Sequence, residues 1–239
     1  MSQANNNVAP IPILYEDNHL LVVEKPVNML SQADFTTDPD ILSILKQDLR
    51  QRYNKPDRVY LGLVHRLDRP VGGVMVFAKT SKAAARLSKQ IRELGFTKVY
   101  LAVVQGVLAN LQGELVHYLN KDRRKNIVKI TDYQKSGSKV AVLNYQVLDL
   151  KHDQTLVKVH LKTGRAHQIR VQFAAINHPL VGDQKYGRST NQRRIQIALW
   201  SYLIGFDHPT TKERLEFSCL PPVRKYPWNL FGNHWIERM

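Results

Sequence analysis

Asp68 stands in the run His65-Arg66-Leu67-Asp68-Arg69, a carboxylate between two arginines. Guanidinium groups at both shoulders hold a carboxylate ionised, which suits a nucleophile or an electrostatic stabiliser better than a general acid. The plain alternative is an Arg–Asp surface salt bridge of small energetic worth. A second constellation is Arg165-Ala166-His167-Gln168-Ile169-Arg170, placed where the turn Thr163-Gly164-Arg165 enters a helix. Backbone N–H groups, the helix dipole and two arginines there converge on one anion-binding corner. The arginines lie five apart and need not share a face. Tyr100 is third, in an alternating strand where an aromatic can pack or stack on an extruded base.

Other chemistries find little support. Nine histidines are scattered, and His65 with Asp68 is the nearest approach to a ligand pair, without a third donor at metal-site spacing. No G-x-S-x-G elbow, Walker-type lysine loop or G-x-G-x-x-G after a strand occurs. The single cysteine, Cys219, excludes an intramolecular disulfide and a multi-cysteine zinc site. No metal and no cofactor is therefore expected.

Lys plus Arg number 35 against 20 Asp plus Glu, a formal net charge of +15. That excess favours a polyanionic partner, because each neutralised phosphate releases counterions. No apolar run reaches the ~18 residues needed to span a bilayer, so no membrane partner is expected. The polar N-terminus lacks a signal-peptide core, and the expected location is the cytoplasm.

The elements that must position these residues can be placed by pattern. Residues 1–10 read as a flexible tail, and 11–239 as one catalytic-sized unit. Ile11–Tyr15 and Leu20–Glu24 form a plausible hairpin, broken at Lys25-Pro26. Asp38-Pro39-Asp40 starts a helix over about 40–53, with Ile41, Ile44, Leu45 and Leu49 on one face. The apolar run Val74–Ala78, after Gly72-Gly73, is a strand that delivers the Asp68 loop. Thr80 or Ser81 caps a helix to about Leu94, with Ala84, Leu87, Ile91 and Leu94 as its stripe. Lys98–Gln105, Val140–Leu150, Thr155–Lys162, Ile195–Phe206 and Arg214–Cys219 read as strands, and 166–177 as a third helix. The basic knot Lys121-Asp122-Arg123-Arg124-Lys125 belongs on an exposed hairpin or loop. Many strands and about three helices without regular βαβ alternation indicate an α+β fold with a mixed, mostly antiparallel sheet.

The run His65 to Thr80, His-Arg-Leu-Asp-Arg-Pro-Val-Gly-Gly-Val-Met-Val-Phe-Ala-Lys-Thr, closely resembles the catalytic motif of RluA-type pseudouridine synthases. Three further stretches match in the family's order. They are Ile13–Asp17 with Val22–Pro26, Lys98–Gly106 around Tyr100, and Thr163–Val171 with His178–Asp183 and Tyr186-Gly187. Together they cover most of residues 11–220.

The resemblance implies a cofactor-free isomerase on a curved-sheet pseudouridine synthase fold, converting uridine to pseudouridine in ribosomal or transfer RNA, and expected to be a monomer. It assigns Asp68, Tyr100 and Arg165 as catalytic. Asp68 would act on the sugar or on the base, Tyr100 would stack on the target base and assist deprotonation at C5, and Arg165 would pair with Asp68. Arg66 would fill the space left by the flipped nucleotide, as a planar guanidinium can. His65, Arg69, Lys25, His167, Arg170, Arg123 and Arg124 complete the expected RNA-binding set. Where the family often has Leu-His-Ala, this chain has Leu199-Trp200-Ser201, a departure that bears on substrate fit; Leu199 is a candidate apolar floor under the base. With about ten residues before the first motif, target recognition is expected from the catalytic domain, with the basic loops 121–125 and 188–194 as contacts. A non-catalytic RNA binder and an RNA glycosylase are the competing readings.

Overall fold

The apolar run Val74–Ala78 alternates between two cores rather than between core and water. In the computed structural model, which describes residues 10–55, 59–133, 135–187 and 195–238, the side chains of Met75 and Phe77 enter one hydrophobic cluster and those of Val74, Val76 and Ala78 another. A strand covered on both faces needs no polar side, which is why this run is continuously apolar.

The described elements are β1 (Ile13–Glu16), β2 (Leu20–Lys25), α1 (Ile41–Arg52), β3 (Gly62–Leu63), β4 (Gly72–Ala78), α2 (Ser81–Arg92), β5 (Thr97–Gln105), β6 (Gln112–Asp122), β7 (Ile127–Thr131), β8 (Lys139–Lys151), β9 (Gln154–Leu161), α3 (Gln168–Ala175), β10 (Leu199–Asp207) and β11 (Arg214–Ser218). The strands form one open sheet in the order β1-β2-β4-β10-β5-β9-β8-β6-β7, with β11 on β10 and β3 on β4. Pairing of β4 with β10 is parallel; the other strand pairs are antiparallel. The expected α+β class with a mixed, mostly antiparallel sheet is what this chain adopts. No helix among the described residues is long and apolar enough to cross a membrane.

Local signals explain the helices. The Asp40 carboxylate accepts the Ser43 N–H at 3.0 Å and starts α1, which buries Ile41, Leu45 and Leu49. Thr80 rather than Ser81 caps α2, its Oγ1 accepting the Ala83 N–H at 3.1 Å. The α2 stripe is shorter than expected: the helix stops at Arg92, Leu94 turns left-handed with φ 62° and is exposed. The third helix also starts later than expected, because His167 is left-handed (φ 50°) and helical geometry begins only at Gln168. The strands β6 and β7 were not legible as such; alternate residues of β6 are exposed, so the segment reads as polar rather than as half-buried strand.

One cluster holds α1 and α3 side chains with Tyr100, Ala102 and Val104 of β5. Leu101 and Val103 of the same strand join Trp228, Phe231 and Trp235 from the C-terminal segment in a third cluster. The even residues of β5 therefore face the side that carries the candidate site, and the odd residues anchor the strand from behind.

The close parallel contact of β4 with β10 depends on a pair of glycines. A Cβ on Gly73, whose φ is +117°, would overlap the Ser201 backbone, and one on Gly72 would overlap the Trp200 indole. Gly73→Ala is expected to destabilise the protein by about 2–4 kcal/mol through strain and forced separation of the strands, read as a lower denaturant midpoint. A midpoint equal to that of the parent would show that the β4–β10 approach is not sterically limited.

Candidate active site

The loop of residues 64–71 between β3 and β4 carries the His65–Arg69 run, and buried groups pin it on several sides. Ser31, itself buried, donates its hydroxyl to the Leu67 carbonyl at 2.8 Å and accepts the Leu67 N–H at 3.2 Å. The Val71 N–H closes a turn onto the Asp68 carbonyl at 2.9 Å. Gln196 donates to the Pro70 carbonyl at 2.6 Å. Lys25, fully buried, donates from Nζ to the carbonyls of Pro26 (2.9 Å), Arg69 (3.2 Å) and Val71 (2.7 Å).

Burial pulls the Lys25 pKa down to about 7, opposed by the nearby Asp68 charge. Three carbonyl acceptors require three N–H donors, which the ammonium supplies and the free amine does not, so the geometry favours the charged form. This burial does not fit the expected RNA-contact role of Lys25: it is a strut of the loop. His65 is another. Its Nε2 accepts the Val76 N–H at 3.0 Å, and burial, then the Lys98 charge, pushes its pKa down to about 3. It is a neutral acceptor, not a phosphate-binding cation.

Asp68 projects from this loop to Arg170 of α3. Arg170 Nη1 donates to Asp68 Oδ2 at 3.0 Å, while its Nε and Nη2 donate to the two oxygens of Asp183, each at 2.8 Å. Asp183 also accepts the N–H groups of Lys185 (2.9 Å) and Tyr186 (3.1 Å). The Arg170 guanidinium lies 5.2 Å from the centroid of the Tyr186 ring, within cation–π range. His167 completes the group: Nδ1 bonds the Tyr186 hydroxyl at 2.7 Å and Nε2 lies 3.8 Å from Asp68 Oδ2. Burial pushes the His167 pKa down to about 4 against the opposing pull of Asp68, so the ring is neutral near pH 7.

Side-chain exposure grades along this chain, from 0% at Asp183 and 8% at Arg170 to 28% at Asp68. Of the three charged groups, only the Asp68 carboxylate is offered to the solvent side. It lies at the edge of a recess lined by Val71, Tyr100, Leu161, Ile169 and Leu199, within a cleft of about 1120 Å³. Lining that cleft are nine Lys and Arg residues against two carboxylates, Asp34 and Asp68. Burial, then the Asp68 charge, raises the Tyr100 pKa above its ordinary value, so the phenol is neutral. Ser201, opposite Tyr100 on β10, donates its hydroxyl to the Val74 carbonyl at 3.0 Å.

The expectation that Arg165 pairs with Asp68 is corrected by this geometry. Arg165 precedes α3 on the turn and its Nε donates to the Val140 carbonyl at 2.9 Å; Arg170, in the first turn of α3, meets Asp68. Arg170 and His167 also line the cleft, but both are largely buried and turned to Asp68, with His167 bonded to the Tyr186 hydroxyl. Arg69 pairs with Asp38 at 2.7 Å rather than with Asp68. Arg66 is exposed, lines the cleft, and has no side-chain partner among the described residues. Arg123 and Arg124 are exposed in the turn between β6 and β7; loop 188–194 lies outside the described residues. Asp183 and Tyr186 escaped notice as site residues, although both lie in stretches with recognisable motif character. No group of three or more potential metal ligands occurs among the described residues.

Comparison with known proteins bears on this arrangement. The family model described as RNA pseudouridylate synthase matches residues 19–175, a span that contains Asp68, Tyr100 and Arg170. The chain belongs to the RNA pseudouridylate synthase family. A protein of Haemophilus ducreyi named tRNA pseudouridine synthase C is 32% identical, over 95% of this chain and 98% of its own length. One of Borreliella burgdorferi named ribosomal large subunit pseudouridine synthase D is 30% identical over 83% of this chain; the match spans 61% of that protein. The solved structure titled Human RNA Pseudouridylate Synthase Domain Containing 4 shares the fold, with a TM-score of 0.75 at 22% identity, covering 95% of this chain and 93% of that one.

Within this family member, Asp183 is the anchor of the charged chain. Burial alone would raise its pKa, but the hydrogen bonds and charge of Arg170, with the two backbone N–H groups, hold it below the ordinary 3.8. A depressed carboxylate pKa contributes stability that is complete above 3.8 and is lost as pH falls through the lower folded value. Asp183→Asn leaves a buried guanidinium short of its counter-charge and is expected to cost about 3–5 kcal/mol. It should also flatten the acid limb of a plot of melting temperature against pH. An unchanged acid limb would remove Asp183 from this role.

Proposed function

We propose that the chain isomerises uridines in ribosomal or transfer RNA to pseudouridine, with Asp68 as the reacting carboxylate and Tyr100 against the target base. The observation that carries this reading is the Asp68–Arg170 pair at 3.0 Å, set at the mouth of an apolar recess inside a basic cleft. An apolar recess with one aromatic beside the carboxylate suits an enzyme that holds a base flipped out of the strand. An enzyme that must detach a base, hold it and reattach it needs such a recess.

The reaction is an isomerisation, and its balance needs no co-reactant. The bond from ribose C1′ to the base nitrogen breaks, the base turns, a bond from C1′ to C5 forms, the C5 hydrogen leaves as a proton, and the freed nitrogen takes up a proton. Asp68 acts on the sugar or on the base. Arg170 holds its carboxylate at one orientation, which removes the entropic cost of finding it. Tyr100 offers its ring as a stacking face; because its phenol is neutral, the hydroxyl works as a hydrogen-bonding group on the C5 proton's route rather than as a standing phenolate. Leu199, Leu161 and Ile169 keep water from the base once it has been flipped out of the strand. Arg66, exposed and unpartnered, is suited to occupy the place from which the base came.

Relatives named for ribosomal large-subunit RNA and for transfer RNA both align over most of the chain, so both RNA classes are candidate targets. Cytoplasmic location and a monomeric state belong to the same proposal.

Asp68→Asn should abolish tritium release from RNA containing C5-labelled uridine while leaving RNA affinity near that of the parent. Turnover near the parent rate would refute the assignment. Release of free base would point to a glycosylase instead, and binding without tritium release by the parent protein to a non-catalytic binder. Tyr100→Phe keeps the stacking face and removes the hydroxyl, so it should slow tritium release without weakening RNA binding. Arg123→Glu combined with Arg124→Glu should weaken RNA binding and lower the slope of log affinity against log salt by roughly 0.7 per lost phosphate contact; an unchanged slope would exclude that turn from the interface.

A further inference from the structure

Lys98 is a lysine without a counter-charge in a place where one is needed. It lies on β5 two residues before Tyr100, on the same face of the strand and about 7 Å from it along the chain. Both side chains line the cleft that holds Asp68. No hydrogen bond or ion pair involves the Lys98 side chain among the described residues. Its principal charged neighbour is Arg165, another cation, and it also acts on His65.

The turn beside it is built to leave room. A Cβ on Gly164 would come within 3.1 Å of Lys98 Nζ, so the ammonium sits directly against the backbone of the Thr163–Arg165 turn. That turn is rigid: the Gln168 side-chain oxygen accepts both the Thr163 hydroxyl (2.8 Å) and the Arg165 N–H (2.9 Å), and its Nε2 donates to the Val142 carbonyl at 3.1 Å. Arg165 uses Nε on the Val140 carbonyl and keeps the rest of its guanidinium for the cleft.

We propose that Lys98 and Arg165, held against the Thr163–Arg165 turn, form a subsite for one phosphodiester of the RNA strand next to the recess that receives the base. Two cations side by side in a partly desolvated corner repel each other, and an anion placed between them removes that cost. Burial and the Arg165 charge both lower the Lys98 pKa, and an arriving phosphate would reverse the second effect. A compact ammonium and a forked guanidinium are complementary donors for phosphate oxygens. With Tyr100 two residues further along the strand, phosphate and base would be gripped within the span of a single nucleotide. The proposal rests on the reading of the cleft as the RNA site, but not on the reaction performed there.

The test is equilibrium binding of a short fluorescein-labelled oligouridylate across a potassium chloride series. The proteins compared are the parent, Lys98→Gln, Lys98→Arg and, away from the cleft, Lys225→Gln. Lys98→Gln should bind several-fold more weakly and lower the slope of log affinity against log salt by about 0.7, the value for one phosphate of a single strand. Lys98→Arg should restore most of that slope, and Lys225→Gln should match the parent. Removing an unpaired ammonium should leave the melting temperature of Lys98→Gln unchanged or higher. Parent-like affinity and slope in Lys98→Gln would overturn the subsite. So would a loss that Lys98→Arg does not recover and that comes with a lowered melting temperature, since that marks a packing role. If the tritium assay fails while the slope falls as expected, the phosphate subsite stands and only the assigned reaction is lost.

Discussion

A single buried guanidinium organises this site. Arg170 has five N–H donors in a planar fork, and it spends one edge on both oxygens of Asp183 and another nitrogen on Asp68. The inner carboxylate is fully buried and fixed by backbone N–H groups, so the arginine cannot swing. The outer carboxylate is thereby oriented without being sealed from the cleft. If the inner pair were absent, Arg170 would be an unpaired charge in a packed interior and α3 would have no reason to face the loop. The remaining architecture supplies the two ends of this chain: the loop between β3 and β4 on one side, and α3 with the segment after it on the other.

The loop end is secured by polar groups that water does not reach. Lys25, Ser31 and His65 each supply a partner to backbone groups of the loop or of β4, which offsets the cost of bringing an irregular segment into the interior. The rigidity of the carboxylate therefore comes from hydrogen bonds to main chain, while the recess beside it comes from packing of Val71, Leu161, Ile169 and Leu199. These two kinds of support are separable, so a change in the recess need not disturb the charged chain.

Much of the fold was legible because its signals are local. Asp40 and Thr80 cap helices where their side chains can reach the first free N–H groups, and the β5 alternation places Tyr100 by period alone. The choice between Arg165 and Arg170 was not local. A left-handed His167 delays the start of α3, and the rotation of the helix decides which arginine looks toward Asp68. The burial of Lys25 was invisible for a similar reason: a lysine at the end of a strand reads as a solvent cation unless the carbonyls that surround it are known. Asp183 lies 13 residues beyond Arg170, and nothing in residue type alone marks it as the inner anchor.

Asp68 and Arg170 are 102 residues apart along the chain. During synthesis the first hundred residues can emerge and begin to pair β1, β2 and β4 while Arg170 has not yet been made. Until α3 docks, Asp68 is a carboxylate on a loop without its counter-charge, and the recess lacks Ile169; Leu199 comes later still, with β10. Closing so long a loop is slow relative to forming the hairpins on either side of it. The Asp68–Arg170–Asp183 chain is thus a contact of high sequence separation, one that local pairing alone cannot build.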